Sequence, residues 1–137
     1  MTENENKRVG GKVGSNLAML DKNHHYTIDA AGKSLGRIAS EAAKALMGKT
    51  TPDYTPHIFS NVHVKIVNAG KLSMRDKKRT AKTYQTYSGY PGGRKLEGFS
   101  NLSKRRGAGE PIRRAVRRML PRNSFLKPRL KNLEITE

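Results

Sequence analysis

Cysteine and tryptophan are both absent from the 137 residues. Without cysteine there is no disulfide staple, no thiolate metal site and no cysteine nucleophile, and the composition fits a reducing compartment. Aromatic residues make up only 6% of the chain. That is poor material for the broad apolar or aromatic face of a basic protein that lies on a membrane. No apolar run approaches the roughly 18 residues a membrane span needs. Met1 to Lys22 is polar and holds no signal-peptide core.

Acidic groups are scarce, and those present make no catalytic pattern. Asp29, Glu41, Asp53, Asp76, Glu97 and Glu110 form no local pair suited to acid–base work. No local Ser/His/Asp signature appears. His24, His25, His57 and His63 include no pair at the i, i+4 helical spacing of a zinc site. Surface hydrogen bonding or phosphate contact suits them better. Gly32-Lys33-Ser34 sits where a phosphate-binding loop would end, but that loop needs a glycine five residues earlier, and Thr27 is there. The tripeptide reads as a tight turn with a helix cap. No cofactor is expected, and the sequence reads as that of a non-enzyme.

Positive charge is what the chain has in excess. It carries 28 Lys+Arg against 11 Asp+Glu, a formal net charge of +17. Such an imbalance repels itself and suggests a polyanionic partner, most commonly nucleic acid. The charge is uneven. Residues 1–70 hold 9 basic and 6 acidic side chains, whereas residues 71–137 hold 19 and 5. The second half is therefore the side expected to face the polyanion.

The length suits one domain with a single modest core. Residues 1–23 read as a flexible N-terminal extension, and 24–137 as the folded domain that would face the polyanion. Tyr26 to Asp29 looks like a short strand, followed by a turn at Ala31-Gly32. From Ser34 to about Met47, Leu35, Ile38, Ala39, Ala42, Ala43 and Leu46 fall on one face at helical spacing. Ser34 is a candidate cap, and Gly48 suits the stop. Pro52 and Pro56 mark 49–61 as loop. Val62 to Val67 alternates β-branched residues as a second strand, so strand, helix and strand predict a right-handed βαβ crossover with a parallel pair. Lys71 to Lys82 predicts a short turn or helix. Thr83 to Tyr87 reads as a third strand and 88–93 as a loop. A second helix runs from Pro111 to Leu120 on Ile112, Ala115, Val116, Met119 and Leu120, with Pro121 ending it. Leu133 to Thr136 could supply a last strand.

The basic clusters carry the functional signal. Lys71, Arg75, Lys77, Lys78, Arg79 and Lys82 crowd twelve residues, and Lys104-Arg105-Arg106 adjoins Gly107 and Gly109. Arg114, Arg117 and Arg118 point away from the apolar stripe of the second helix, with Arg113 at its edge. A merely solvated helix face mixes signs, whereas acidic neighbours are missing here. Phosphate contact is the better reading for the clusters together. Tyr84 suits packing, while Tyr90, in a Gly/Pro loop, is open to packing or base stacking.

Ile28-Asp29-Ala30 and Leu35-Gly36-Arg37-Ile38-Ala39-Ser40 resemble the opening of the thirteenth protein of the large ribosomal subunit. Gly48-Lys49, Tyr54-Thr55-Pro56-His57 and Val67-Asn68-Ala69 continue the resemblance in order. So do Lys82-Thr83-Tyr84, Ser88-Gly89-Tyr90-Pro91-Gly92-Gly93, Ala115-Val116 and Met119-Leu120-Pro121-Arg122-Asn123. Each string is weak alone; their shared order over about residues 25–136 is specific. This chain has His25-Tyr26 where that family usually has a tryptophan, and Arg118 where it usually has a glycine. Bacterial members often run on into a His/Pro-rich tail, whereas this sequence ends at Glu137.

The resemblance implies an α/β fold of three layers, α/β/α, around a small four-stranded parallel sheet. It also implies a structural constituent of the large ribosomal subunit, located in cytoplasmic ribosomes. Its partners would be large-subunit ribosomal RNA and neighbouring ribosomal proteins, with no small-molecule substrate, and it would support early subunit assembly. On this reading Lys49 and His57 sit in loops beside RNA. The main footprint comprises Lys71, Arg75, Lys77, Lys78, Arg79, Lys82, Tyr90, Arg94, Lys95, Lys104, Arg105, Arg106, Arg114, Arg117, Arg118, Arg122, Lys127, Arg129 and Lys131. A free RNA-binding translational regulator shares the basic surface and is the alternative; missing metal ligands and the failed phosphate loop argue against an enzyme such as a nuclease.

Overall fold

Small side chains on one helix set the architecture. The computed structural model describes residues 24–137; the expected N-terminal extension lies outside the described residues. Helix α1, Leu35–Leu46, buries Leu35, Ile38, Ala39, Ala42, Ala43, Ala45 and Leu46. Its alanines allow close approach to a sheet and to helix α4, Gly109–Met119, which buries Pro111, Ile112 and Val116. The two helices share one core with Ile28, Val62, Val64, Ile66 and Leu133 from the strands.

The helix ends follow backbone logic more than side-chain logic. Ser34 takes the extended N-cap conformation, but its hydroxyl makes no capping bond. Its carbonyl accepts from the Ile38 N–H at 3.2 Å, and its backbone bridges to Ser73. At the other end Gly48 adopts φ +78, the left-handed geometry expected of a helix stop. A Cβ there would lie 2.6 Å from Ser60 Oγ, so the position requires glycine twice over.

Strands β1 (His24–Asp29), β2 (Val62–Val67) and β5 (Leu133–Ile135) form a parallel sheet with β2 in the centre. The expected parallel pair is present, with Tyr26 opposite Val64 and Ile28 opposite Ile66. The connection after β1 is fixed by Asp29, whose carboxylate accepts from the Ala31 N–H at 3.0 Å and from Asn68 Nδ2 at 2.9 Å. These two bonds hold its pKa below the usual value.

The sheet differs from the expectation in two respects. It has three strands, not four, among the described residues. Thr83–Tyr87 is indeed a strand, β3, but it pairs antiparallel with β4, Arg94–Gly98, in a separate ribbon. The layering also differs. Val62, Val64 and Ile66 bury one sheet face, whereas His25, Thr27, Lys65 and Glu134 are exposed on the other. A second helical layer over that face would bury polar and charged side chains without partners. His25 and His63 instead stack on each other there, with ring centroids 5.1 Å apart.

Three further helices complete the chain. Helix α2 spans Asp76–Ala81, after a 3-10 turn at Ala69–Lys71. Helix α3, Phe99–Arg106, closes a small second core of Tyr84, Phe99 and Leu102. Helix α5, Leu126–Lys131, leads into β5. No helix among the described residues is long and apolar enough to cross a membrane.

Candidate nucleic-acid interface

The basic residues of the second half come from separate stretches of sequence, and the fold sorts them. Helix α2 buries no side chain at all. Six residues with Lys77, Lys78 and Arg79 on show have no packing reason to be cationic. Helix α4 has a core edge, Ile112 and Val116, and an outer edge carrying exposed Arg113, Arg117 and Arg118. The two helices meet at a cleft of about 200 Å³. Leu35, Gly36, Ala115 and Met119 line it with Tyr84, and Lys78, Lys82, Arg114 and Arg118 ring it. Two clusters far apart in sequence are thus brought to one place.

Electrostatics within the cleft are strained. Lys82 is partly buried, and its pKa is lowered first by desolvation and then by repulsion from Lys78 and Arg118. Its ammonium and the Arg114 guanidinium approach the Tyr84 ring, at 5.4 Å and 5.2 Å from the centroid. Burial raises the Tyr84 pKa, against the opposing pull of Arg114 and Arg118. Among the described residues no ion pair is recorded for Lys78, Lys82, Arg117 or Arg118.

Not every cation is free, and here the expectation of missing acidic neighbours needs correcting. Glu97 accepts from Arg105 Nε and Nη2 at 2.9 and 2.8 Å, a bidentate pair. Those bonds lower the Glu97 pKa and raise that of Arg105. Glu110 accepts from Arg114 Nε at 3.1 Å and lies 3.7 Å from Arg106. These three arginines are partly neutralised within the protein.

Arg129 also departs from the expected footprint. It is 3% exposed, stacked at 5.5 Å over the Phe125 ring, and its Nε has no partner among the described residues. Desolvation lowers its pKa. Phe125 in turn meets Phe59 of the loop 48–61, with ring centroids 5.8 Å apart. The place of Arg129 in the core removes it from the exposed surface.

The other expected residues are exposed but dispersed. Lys71, Arg75, Lys77 and Arg79 are exposed on α2 and the segment before it, and Arg79 and Lys104 line a second cleft beside Phe99. Arg94, Lys95 and Tyr90 sit on the β3–β4 arm, where Tyr90 is 75% exposed. At that exposure packing does not explain Tyr90. Lys49 and His57 lie exposed in the loop 48–61, with the Lys49 ammonium 5.6 Å from the Tyr54 ring centroid. Arg122, Lys127 and Lys131 are exposed along the C-terminal segment. Gly36 and Met119 line the cleft but were not singled out for it in the sequence. An apolar side chain on an otherwise buried stripe gives no sign that it opens on a cleft, and Met119 is 43% exposed. Among the described residues no group of His or acidic side chains could hold a metal ion.

Comparison with known proteins agrees with this picture. A family model described as ribosomal protein L13 matches residues 23–137. The large ribosomal subunit protein uL13 of Gloeothece citriformis is 46% identical over 110 residues, covering 80% of this chain and 72% of that protein. Those of Geobacillus kaustophilus and Rubrobacter xylanophilus are 45% and 40% identical, over 80% of this chain and 75% and 76% of theirs. A match that runs through the sheet, both core helices and the cleft shows that the chain belongs to the ribosomal protein L13 family.

Proposed function

We propose that this protein is a structural constituent of the large ribosomal subunit in the cytoplasm, that it binds large-subunit ribosomal RNA, and that it supports early subunit assembly. Its family is one of ribosomal proteins, not of enzymes. The observation that carries the RNA-binding part is the meeting of Lys78, Lys82 and Arg118 at one cleft with no acid paired to any of them among the described residues. A protein gains nothing from crowding unpaired cations unless an anion completes the site. Phosphates of a folded RNA do so, and the exposed cations on α2, α4, the β3–β4 arm and the C-terminal segment extend the same surface. Recognition of a folded RNA of this kind is mostly through backbone and shape, since the deep, narrow major groove of an RNA helix is closed to side chains.

Sedimentation tests the proposal. In a cell lysate carrying the tagged full chain, the protein should travel with large subunits and their precursors in magnesium and leave them on washing with concentrated salt. A protein found wholly in the light fractions would refute the structural role, and would favour a free regulator acting on messenger RNA.

A further inference from the structure

The cleft between α1, α2, β3 and α4 has three features that a plain phosphate-binding surface does not need. Its floor is apolar, made by Leu35, Ala115 and Met119. Its rim carries four cations, of which, among the described residues, Arg114 alone is paired with an acid. Its wall is Tyr84, 3% exposed, whose buried hydroxyl has no hydrogen-bond partner among the described residues. Buried hydroxyls are almost always satisfied, so an orphan beside a cleft points to a missing partner.

Gly36 adds a fourth observation. It lies in the first turn of α1 without a left-handed φ, and a Cβ there would meet nothing within 4 Å. Neither backbone nor packing demands glycine, and glycine in a helix is a cost relative to alanine. What the missing side chain does is leave the floor open. The volume, about 200 Å³, equals some six or seven waters at ~30 Å³ each, the scale of one planar base and not of a helix. A bare anion would satisfy the rim and leave the floor idle. An apolar side chain would satisfy the floor and leave the cations and the hydroxyl unmet. A nucleoside phosphate satisfies floor and rim together. Its base has flat faces for Met119, Ala115 and the guanidinium planes.

We propose that this cleft receives one unpaired nucleotide extruded from an RNA, with the base on the floor formed by Gly36, Ala115 and Met119 and the phosphate held by Lys78, Lys82 and Arg118. The inference rests on the RNA-binding reading above and narrows it to a subsite. It predicts a preference for an interruption in a helix over the helix itself. Opening a paired base carries an unstacking cost that a bulged base does not.

The test uses the full chain and two RNA hairpins that differ by one bulged 2-aminopurine nucleotide. The protein should bind the bulged hairpin about tenfold more tightly than the paired one, within the range that base stacking supplies, and should change the probe's fluorescence. Gly36→Leu fills the floor without altering charge. It should abolish both the preference and the fluorescence change, while thermal unfolding stays as in the parent. Gly36→Ala, a smaller intrusion, should retain most of the preference. Equal affinity of the parent for both hairpins, or a preference that survives Gly36→Leu, would overturn the subsite and leave the general RNA surface standing. If AMP alone displaced the bulged hairpin at equal concentration, RNA would not be the source of the ligand. Failure to bind either hairpin at low salt would overturn the RNA-binding reading itself.

Discussion

Replacing Arg117, Arg118 and Arg122 together with glutamine should flatten the salt dependence of RNA binding without unfolding the protein. All three are exposed, and none is ion-paired among the described residues. Each phosphate contact contributes about 0.7–0.9 to the slope of log K against log salt. Three contacts therefore make the slope shallower by about 2 to 3, which at 0.1 M salt, a decade below 1 M, is roughly a hundredfold or more in affinity. The stability cost is small, because exposed substitutions away from caps and networks stay within about 0.5 kcal/mol each. Fluorescence anisotropy of a labelled large-subunit RNA fragment, titrated from low to high potassium chloride, reads the slope, and thermal unfolding reads the fold. Lys33→Gln is the matched control. Lys33 is also exposed, but its ammonium is 3.1 Å from Glu41 Oε2 and already answered, so the slope should not change. A triple variant with the parental slope, or a loss explained by unfolding, would refute the assignment of this face to phosphate.

Other consequences concern the frame. Ile112→Ala empties a fully buried position between α4 and the sheet and should cost about 2–5 kcal/mol in chemical denaturation. Gly48→Ala should destabilise through both its φ of +78 and its clash with Ser60; Ser60→Gly in the same chain should recover part of the loss, and strict additivity of the two changes would refute the contact. Tyr84→Phe removes a hydroxyl with no partner, so unfolding of the free protein should be unchanged or later, whereas a clear loss would mean the hydroxyl is satisfied. The Arg105 bond lowers the folded-state pKa of Glu97 from its ordinary 4.5. Its stabilisation is therefore full above that value and fades as pH falls through the lowered one. Denaturation midpoints of the parent and Glu97→Gln should accordingly converge in acid, and parallel curves across that range would contradict the pair.

Where periodicity was strong, the chain was legible. The α1 stripe emerged as expected with Ala45 added, and β2 and α4 fell close to their expected spans. What stayed hidden had weak local signals. Strand β4 belongs to a two-stranded arm whose Leu96 is 61% exposed, so no buried alternation marks it. Helix α3 is anchored by Phe99 and Leu102 alone, too few to set a period. Helix α5 buries an arginine, and Arg129 reads as a surface residue until Phe125 is folded over it. The fourth parallel strand came from the family resemblance and not from the residues. Thr83 to Tyr87 has the composition of a strand but nothing that names its partner.

The candidate site was legible in outline for the same reason. Clusters of lysine and arginine are visible in one dimension, whereas their sorting is tertiary. That Glu97 answers Arg105 while Arg118 goes unanswered depends on how the β3–β4 arm meets α3, and no local spacing encodes it. The i, i+4 pairs of Glu110 with Arg106 and Arg114 were within reach of spacing alone.

The central claim is that this chain sits on large-subunit ribosomal RNA. Ultraviolet crosslinking in intact cells, followed by sequencing of the attached RNA, tests it most directly. Reads concentrated at a few sites of large-subunit ribosomal RNA, with crosslinked peptides from α2, the β3–β4 arm and α4, are the predicted result. Reads spread over messenger RNA, or recovery of little RNA at all, would contradict it.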